Sequence, residues 1–322
     1  MKVVMFNDCA FVGETLLKYM PSDMEKQHIK RTRGLWSKTF GIAYKIRKAK
    51  GDIYHAHYLL QDCYIASKLG KKPLVGHAHG SDLRQQLKSK KWGWIVKHDL
   101  KNCDKILVSQ PTILDIAKQF NESAEYFPIP FDPKIFFPKP LQEKREKKQV
   151  LIASAHNFAV KGTDKFLHAL ASISTPLTVK AIRFGKDFIK ARQLAKKLGV
   201  EIDFLEKVTH EKMNGLYWKS DLVLGSFGVG QLDTVAIEAM ACGRPLVHSI
   251  SKEYFRNCPL EKLETVEQAS EIISRLLADR KERERRVQTQ LSYANATHSA
   301  PLSVKRLMKI YSELSARDGF KN

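Results

Sequence analysis

The chain predicts an α/β fold built on parallel sheets, and three observations predict it. Short apolar runs alternate with helix-period segments along most of the 322 residues, the pattern of sheets with helices on both faces. A strand, a glycine loop, a helix and a second strand follow one another within KSDLVLGSFGVGQLDTVAIEAMACGRPLV, residues 219–247. A proline-rich break divides the chain: FPIPFDPKIFFPKP, residues 127–140, holds five prolines. Proline lacks an amide donor and fixes φ, so this stretch is neither helix nor central strand. The charged run QEKREKK after it reads as solvated, and a domain boundary is expected near residue 140.

In the first half, Met1–Phe6 reads as a strand, followed by the polar loop Asn7-Asp8-Cys9, then Gly13 and a helix over Glu14–Tyr19. A ligand-facing loop at that strand end suits a doubly wound sheet. Residues 24–52 are dense in Lys and Arg, interleaved with Ile29, Leu35, Trp36, Phe40, Ile42 and Ile46. Such a stretch lies on a membrane surface or forms a solvated helix face. Two further strand–helix pairs carry His55-Ala56-His57 and His77-Ala78-His79-Gly80-Ser81-Asp82 at their joins. Alternate residues share a strand face, so each H-x-H pair invites a metal reading. Hydrogen-bonding loop histidines are the other reading. The preferred one has His79, with Ser81 and Asp82, lining a cleft against a polar substrate. Residues 84–101 put lysines beside Trp92, Trp94, Ile95 and Val96, which suits lipid headgroups or stacking on single-stranded nucleic acid. A strand (105–109), a helix (112–120) and a short strand (124–128) complete this half.

In the second half, strands are expected over 150–154, 177–182 and 200–204, with helices over 164–173, 188–198 and 211–218. The loop from His156 to Thr163 carries Lys161, either a surface lysine or a point charge for phosphate. In the 219–247 unit, Leu222-Val223-Leu224 is a buried strand, and Gly225, Gly228 and Gly230 loosen the loop after it. Asp233 or Thr234 caps a helix that Gly243 and Pro245 terminate. A glycine loop opening a helix offers free N–H groups to a phosphate. Glu238 stands in an otherwise apolar helix, where a buried carboxylate needs donors. A sugar diol supplies a pair; the plain alternative is a first-turn glutamate favoured by the helix dipole. After residue 264 helices dominate, ending in one over Ser303–Leu314 with apolar residues at helical spacing.

Composition narrows the class. A hydrophobic fraction of 43% supports real cores, and 322 residues suffice for two domains. No run has the length of a membrane span, and MKVVMFND reads as a strand rather than a signal peptide. Five cysteines without a C-x-x-C pair argue for a reducing, cytoplasmic setting. The net charge of +21 predicts anionic partners: phosphorylated small molecules, an anionic membrane face, or nucleic acid. No RNA-recognition or helix-turn-helix pattern supports the last, and no nucleic acid is expected.

Three stretches, HAHGSDLR, FPIPFDPKIFFP and IEAMACGRPLV, occur in this order across nearly the whole chain. On them the sequence resembles the retaining glycosyltransferases of family four. The resemblance implies the GT-B fold: two Rossmann-like domains with a cleft between them. These would be residues 1–140, acceptor-side and completed by a C-terminal helix at 303–318, and 141–302, which takes the nucleotide-sugar. It implies transfer of a sugar, with retention, from a nucleoside-diphosphate sugar to an acceptor hydroxyl on a lipid-linked or glycan acceptor. No cofactor and no metal are expected; no DxD motif occurs.

Residue by residue, Glu238 matches the second glutamate of the family's E-x7-E motif, a ribose ligand, and Lys161 matches the lysine on the donor diphosphate. The motif's first glutamate is replaced by Gly230, and its arginine before the lysine by His156. The donor set is then His156, Lys161, Gly228, Gly230, Leu232, Asp233, Thr234 and Glu238, with His79 and Lys161 catalytic and Gly13, Ser81 and Asp82 on the acceptor side. The replacement at Gly230 keeps a second reading open, a non-catalytic nucleotide-sugar-binding homologue or partner subunit. A protein of this kind would be cytoplasmic or peripheral on the cytoplasmic membrane face.

Overall fold

The computed structural model describes residues 1–31, 40–141 and 146–319. Two compact units result, one running from Met1 to Pro130 and resuming at Ser299, the other Phe131–His298.

The first unit holds a six-stranded sheet of β1 (Lys2–Phe6), β2 (Glu25–Ile29), β3 (Ile53–His57), β4 (Leu74–Ala78), β5 (Lys105–Val108) and β6 (Glu125–Tyr126). Every pairing is parallel and the spatial order is β2-β1-β3-β4-β5-β6. The inner strands are buried on both faces, as helix-covered parallel strands must be. Their apolar faces meet Leu59, Cys63, Leu83, Val96, Leu100 and Ile113. The edge strand β2, EKQHI, keeps its charged residues in water, so the start of the basic stretch is a sheet edge rather than a helix. Its second part forms the helix Phe40–Lys48, with Ile42 and Ile46 buried; Leu35 and Trp36 lie outside the described residues.

The second unit holds β7 (Lys148–Ile152), β8 (Leu177–Ile182), β9 (Ile202–Leu205), β10 (Leu222–Leu224) and β11 (Leu246–Val247), parallel throughout in the order β11-β10-β7-β8-β9. Phe166, Leu167, Leu170, Ile273, Leu276 and Leu277 fill its core.

The divide falls at Pro130, ten residues before the proline-rich stretch ends, for a reason the proline count hides. The fully buried Arg244 donates from its guanidinium to the carbonyls of Cys242, Lys139 and Pro140. Asn214 and Trp218 donate to the carbonyls of Ile135 (2.9 Å) and Phe137 (2.9 Å). A segment without helix or strand leaves its carbonyls open, and these donors satisfy them. At the other end, the helix Ala300–Gly319 belongs to the first unit and packs on the helix Val12–Tyr19, burying Val304, Leu307, Tyr311 and Leu314.

Candidate functional site

In open parallel sheets a ligand crevice forms at the carboxyl ends of two adjacent strands whose connections leave in opposite directions. In the second unit that point lies between β7 and β10. The loop after β7 leads into the short helix Phe158–Lys161, capped by the Asn157 side chain on the N–H of Val160 (3.2 Å). The loop after β10 folds onto it: Phe227 N–H donates to the Lys161 carbonyl (2.7 Å). Gly228 is demanded here, because a Cβ would stand 2.0 Å from the carbonyl oxygen of Val160. Lys161 then donates to Oδ2 of Asp233, whose Oδ1 caps the helix Thr234–Ala241 on the N–H of Ala236 (2.9 Å). Burial pushes the Asp233 carboxyl up, but the Lys161 ammonium and the hydrogen bonds outweigh it and hold the group below its ordinary range.

One turn on, Glu238 is 3% exposed. Its Oε1 accepts from His210 Nε2 (2.5 Å) and its Oε2 from the Tyr217 hydroxyl (3.0 Å). Burial raises its pKa, with the two hydrogen bonds holding it back. Each oxygen keeps a further lone pair.

Sequence reasoning named Lys161, Gly228, Asp233, Thr234 and Glu238, and the fold gathers them at this strand end. The Leu232 side chain is buried at 1% exposure beside Asp233. Gly230 is left-handed (φ 66°), and its carbonyl accepts from Ser251 N–H (2.8 Å). His156, expected among the donor contacts, lies in the loop after β7. It is fully buried, with its ring tilted on Phe188 and edge-on to Phe204, and burial lowers its pKa against the pull of the Ile182 carbonyl.

His210, Tyr217 and His248 were missed. His248 staples the glycine loop: Nδ1 accepts from Ser226 N–H (2.9 Å) and Nε2 bonds the Gln231 carbonyl (2.7 Å). Gly225 makes that possible, since a Cβ there would reach 2.3 Å from His248 Nδ1. A histidine directly after β11 was the available signal. Nothing local marked His210 or Tyr217, which reach Glu238 only through the fold.

In the first unit the equivalent point lies between β1 and β3. Four non-glycine residues with left-handed backbone stand at these strand ends: Asn7, Ala10 and Phe11 after β1, Tyr58 after β3. Such strain collects at functional sites. Asp8 accepts from the N–H groups of Gly13 (3.0 Å) and Glu14 (3.1 Å) and so anchors the helix Val12–Tyr19. Gly13 makes room for the His57 ring, whose nearest atoms would lie 3.0 Å from a Cβ. Asp82, fully buried, accepts from the N–H groups of Leu59, His79, Gly80 and Leu83. Ser81 bonds the Tyr58 hydroxyl at 2.8 Å. The residues expected on the acceptor side, Gly13, Ser81 and Asp82, therefore lie at these neighbouring strand ends. His79 differs from expectation: its ring nitrogens are taken by His57 (3.1 Å) and Ser109 (3.3 Å), and burial lowers its pKa to about 3. No ring N–H of His79 is left over for a substrate.

On the helix side of this unit, Phe40, Tyr44 and Trp94 are 71%, 57% and 55% exposed. Lys48 stands over the Tyr44 ring at 4.6 Å, Lys68 over Tyr64 at 5.6 Å, and Tyr64 meets Trp94 edge-on. A hollow of about 380 Å³ runs between Tyr44, Arg47, Tyr64 and Lys68. Ile95 and Val96, grouped with the tryptophans in sequence, face the core instead. Among the described residues no helix is long and apolar enough to cross a membrane.

The likeness to known proteins lies in the fold and in the second unit's sequence. Residues 137–290, inside the second unit, match the family model for glycosyl transferases group 1. The fold is that of the GT-B glycosyltransferases. HepE of Anabaena, solved with UDP and glucose, superposes at a TM-score of 0.77 with 16% identity, covering 98% of this chain and 100% of the other. A sucrose-phosphate synthase from Thermosynechococcus elongatus gives 0.74 at 16% identity, with the same coverage. The lipopolysaccharide outer core galactosyltransferase WaaB gives 0.66 at 14% identity, covering 98% and 100%. No curated protein matches the chain by sequence.

Proposed function

We propose that the protein is a glycosyltransferase that takes a nucleoside-diphosphate sugar in its second unit and passes the sugar to an acceptor hydroxyl. The observation that carries this reading is the Lys161–Asp233–Glu238 arrangement at the β7/β10 strand ends, inside the stretch that matches glycosyl transferases group 1. Glu238 offers its remaining lone pairs to the ribose hydroxyls. The Lys161 ammonium, released from Asp233, meets the diphosphate, aided by the first-turn N–H groups of the helix Thr234–Ala241. HepE, bound to UDP and glucose, supports a uridine donor.

In the transfer, the bond from the anomeric carbon to the β-phosphate oxygen breaks and its electron pair stays on the diphosphate. The acceptor oxygen bonds the anomeric carbon, on the face the leaving group vacates, and its proton passes to the departing phosphate oxygen. Negative charge builds on that phosphate, so Lys161 acts most strongly in the transition state; losing one such donor costs about 2–4 kcal/mol. In this reading no metal ion is used, Lys161 and the helix N–H groups meeting the charge instead. The acceptor binds at the strained strand ends of the first unit, near Gly13, Ser81 and Asp82. Phe40, Tyr44 and Trp94 with their flanking lysines dock the unit on an anionic membrane face, where a lipid-linked or glycan acceptor is presented.

Release of UDP from UDP-sugars across an acceptor panel tests the proposal, with Lys161→Ala and Glu238→Ala expected to abolish turnover. The docking part fails if the protein does not sediment with anionic liposomes at low salt. Gly230 keeps one competing reading, a nucleotide-sugar-binding partner subunit. Thermal stabilisation by UDP with no transfer to any acceptor would favour it.

A further inference from the structure

Six side chains of the first unit, five of them buried and His79 half-buried, form one unbranched chain of hydrogen bonds. It runs from the Tyr311 hydroxyl to His55 Nδ1 (2.6 Å), from His55 Nε2 to His77 Nδ1 (3.3 Å), and from His77 Nε2 to Ser109 Oγ (2.9 Å). From Ser109 Oγ it continues to His79 Nδ1 (3.3 Å), and from His79 Nε2 to His57 Nδ1 (3.1 Å). It ends at His57 Nε2, which is buried against Gly13 and has no hydrogen-bond partner among the described residues.

The direction of this chain follows from counting protons. A neutral imidazole has one donor and one acceptor nitrogen, so neighbouring rings must all pass their hydrogens the same way. Burial keeps the four rings neutral: His55 and His79 fall to about 3, and His57 and His77 are also lowered. In one direction Tyr311 donates, every ring carries its proton on Nε2, and only the His57 Nε2–H goes unpaired. In the other, the rings carry Nδ1–H and Tyr311 accepts. The buried Tyr311 proton and the His57 Nε2 lone pair are then both unpaired. Tyr311 cannot relieve this by ionising, because burial raises its pKa. The first direction leaves one buried group unpaired and the second leaves two.

We propose that this is a one-way relay whose direction Tyr311 sets, and that it locks the His79 ring and so positions the His79–Asp82 loop on the acceptor side. Tyr311, His55, His77 and Ser109 are positioning residues in this sense. The acceptor-side role rests on the transferase reading; the relay itself does not, and its test requires no turnover. Ring nitrogens of His55, His57 and His77 lie within 4.8 Å of one another, close enough to suggest a transition metal. Of the three rings His55 and His57 stack (4.5 Å, 11°), while His77 is tilted by 31° and 34° to them. A bound metal is the competing occupant of these nitrogens, and the Zn²⁺ arm of the test below decides against or for it.

The experiment is two-bond ¹H–¹⁵N correlation NMR on the full chain labelled at histidine. The wild type is expected to show these four rings as neutral Nε2–H tautomers that do not titrate between pH 5.5 and 8. Tyr311→Phe is expected to shift His57 and His79, which do not touch Tyr311, to mixed tautomers, and to double the backbone amide signals of His79 and Gly80. Ser109→Ala should do the same to His57 and His79 while His55 keeps its Nε2–H. An Nδ1–H tautomer in the wild type, a Tyr311→Phe effect confined to His55, or stoichiometric Zn²⁺ binding that collapses the four signals would each overturn the relay. Unchanged His79 and Gly80 amides in both variants would overturn its positioning role. If Tyr311→Phe does not fold, the wild-type tautomers and Ser109→Ala decide.

Discussion

Lys161 donates to the carboxylate of Asp233, and the other oxygen of that carboxylate caps the helix carrying Glu238. A nucleoside diphosphate must therefore compete with Asp233 for the lysine. Asparagine also caps helices well, so Asp233→Asn removes the competing charge and keeps the helix start. Its affinity for UDP should rise by roughly tenfold, about 1.4 kcal/mol, read by titration calorimetry. Unchanged or weaker binding would show that the pair is structural.

Placing at position 230 the glutamate that the resemblance leads one to expect, Gly230→Glu, should not improve transfer. Gly230 has φ 66°, and a Cβ there would stand 3.0 Å from the Ser251 backbone nitrogen. Left-handed backbone costs a non-glycine residue about 1–2 kcal/mol, so chemical denaturation should show at least that loss, with no gain in transfer. A stable, faster variant would mean that the loop rearranges.

The buried histidines make the protein acid-labile. His55 and His79 are neutral in the folded chain down to about pH 3, while in the unfolded chain they protonate near 6.5. Their folded pKa is depressed, so the unfolded state binds more protons as pH falls, and stability present above 6.5 is lost between 6.5 and 3. Two such groups give a slope approaching about 2.7 kcal/mol per pH unit in the middle of that window. Urea midpoints measured from pH 7 to 4 check it; a flat profile would contradict the buried, neutral state.

Asp99 works in the opposite sense. It is fully buried, neither oxygen has a hydrogen bond among the described residues, and burial with help from Asp62 pushes it up to about 9. Its folded pKa is raised, so stability falls as pH climbs from about 4 to 9. Asp99→Asn removes this dependence and should stabilise the protein by roughly 2–4 kcal/mol at pH 7, with little effect at pH 4. Equal gains at both pH values would point to packing instead.

Much of the architecture was legible because strand–helix alternation and the proline break are local signals. Asp233 drew notice as a helix cap and Glu238 as a carboxylate in an apolar helix, whereas Lys161 was marked out from the other lysines only by the resemblance. The partners that complete the sites were not legible. His210 and Tyr217 reach Glu238 from over twenty residues away, and Tyr311 reaches His55 across 256 residues. The aromatic wall of Phe188 and Phe204 around His156 was hidden in the same way, since it comes from later elements.

The central claim is that the β7/β10 strand ends hold a nucleoside diphosphate through Lys161 and Glu238. Saturation-transfer NMR with a panel of nucleotides and nucleotide-sugars reads this without any acceptor. The account predicts ribose and base signals from a nucleoside diphosphate with the wild type, lost in Glu238→Ala and weakened in Lys161→Ala. Absence of any signal from the wild type, or equal signals from all three proteins, would contradict it.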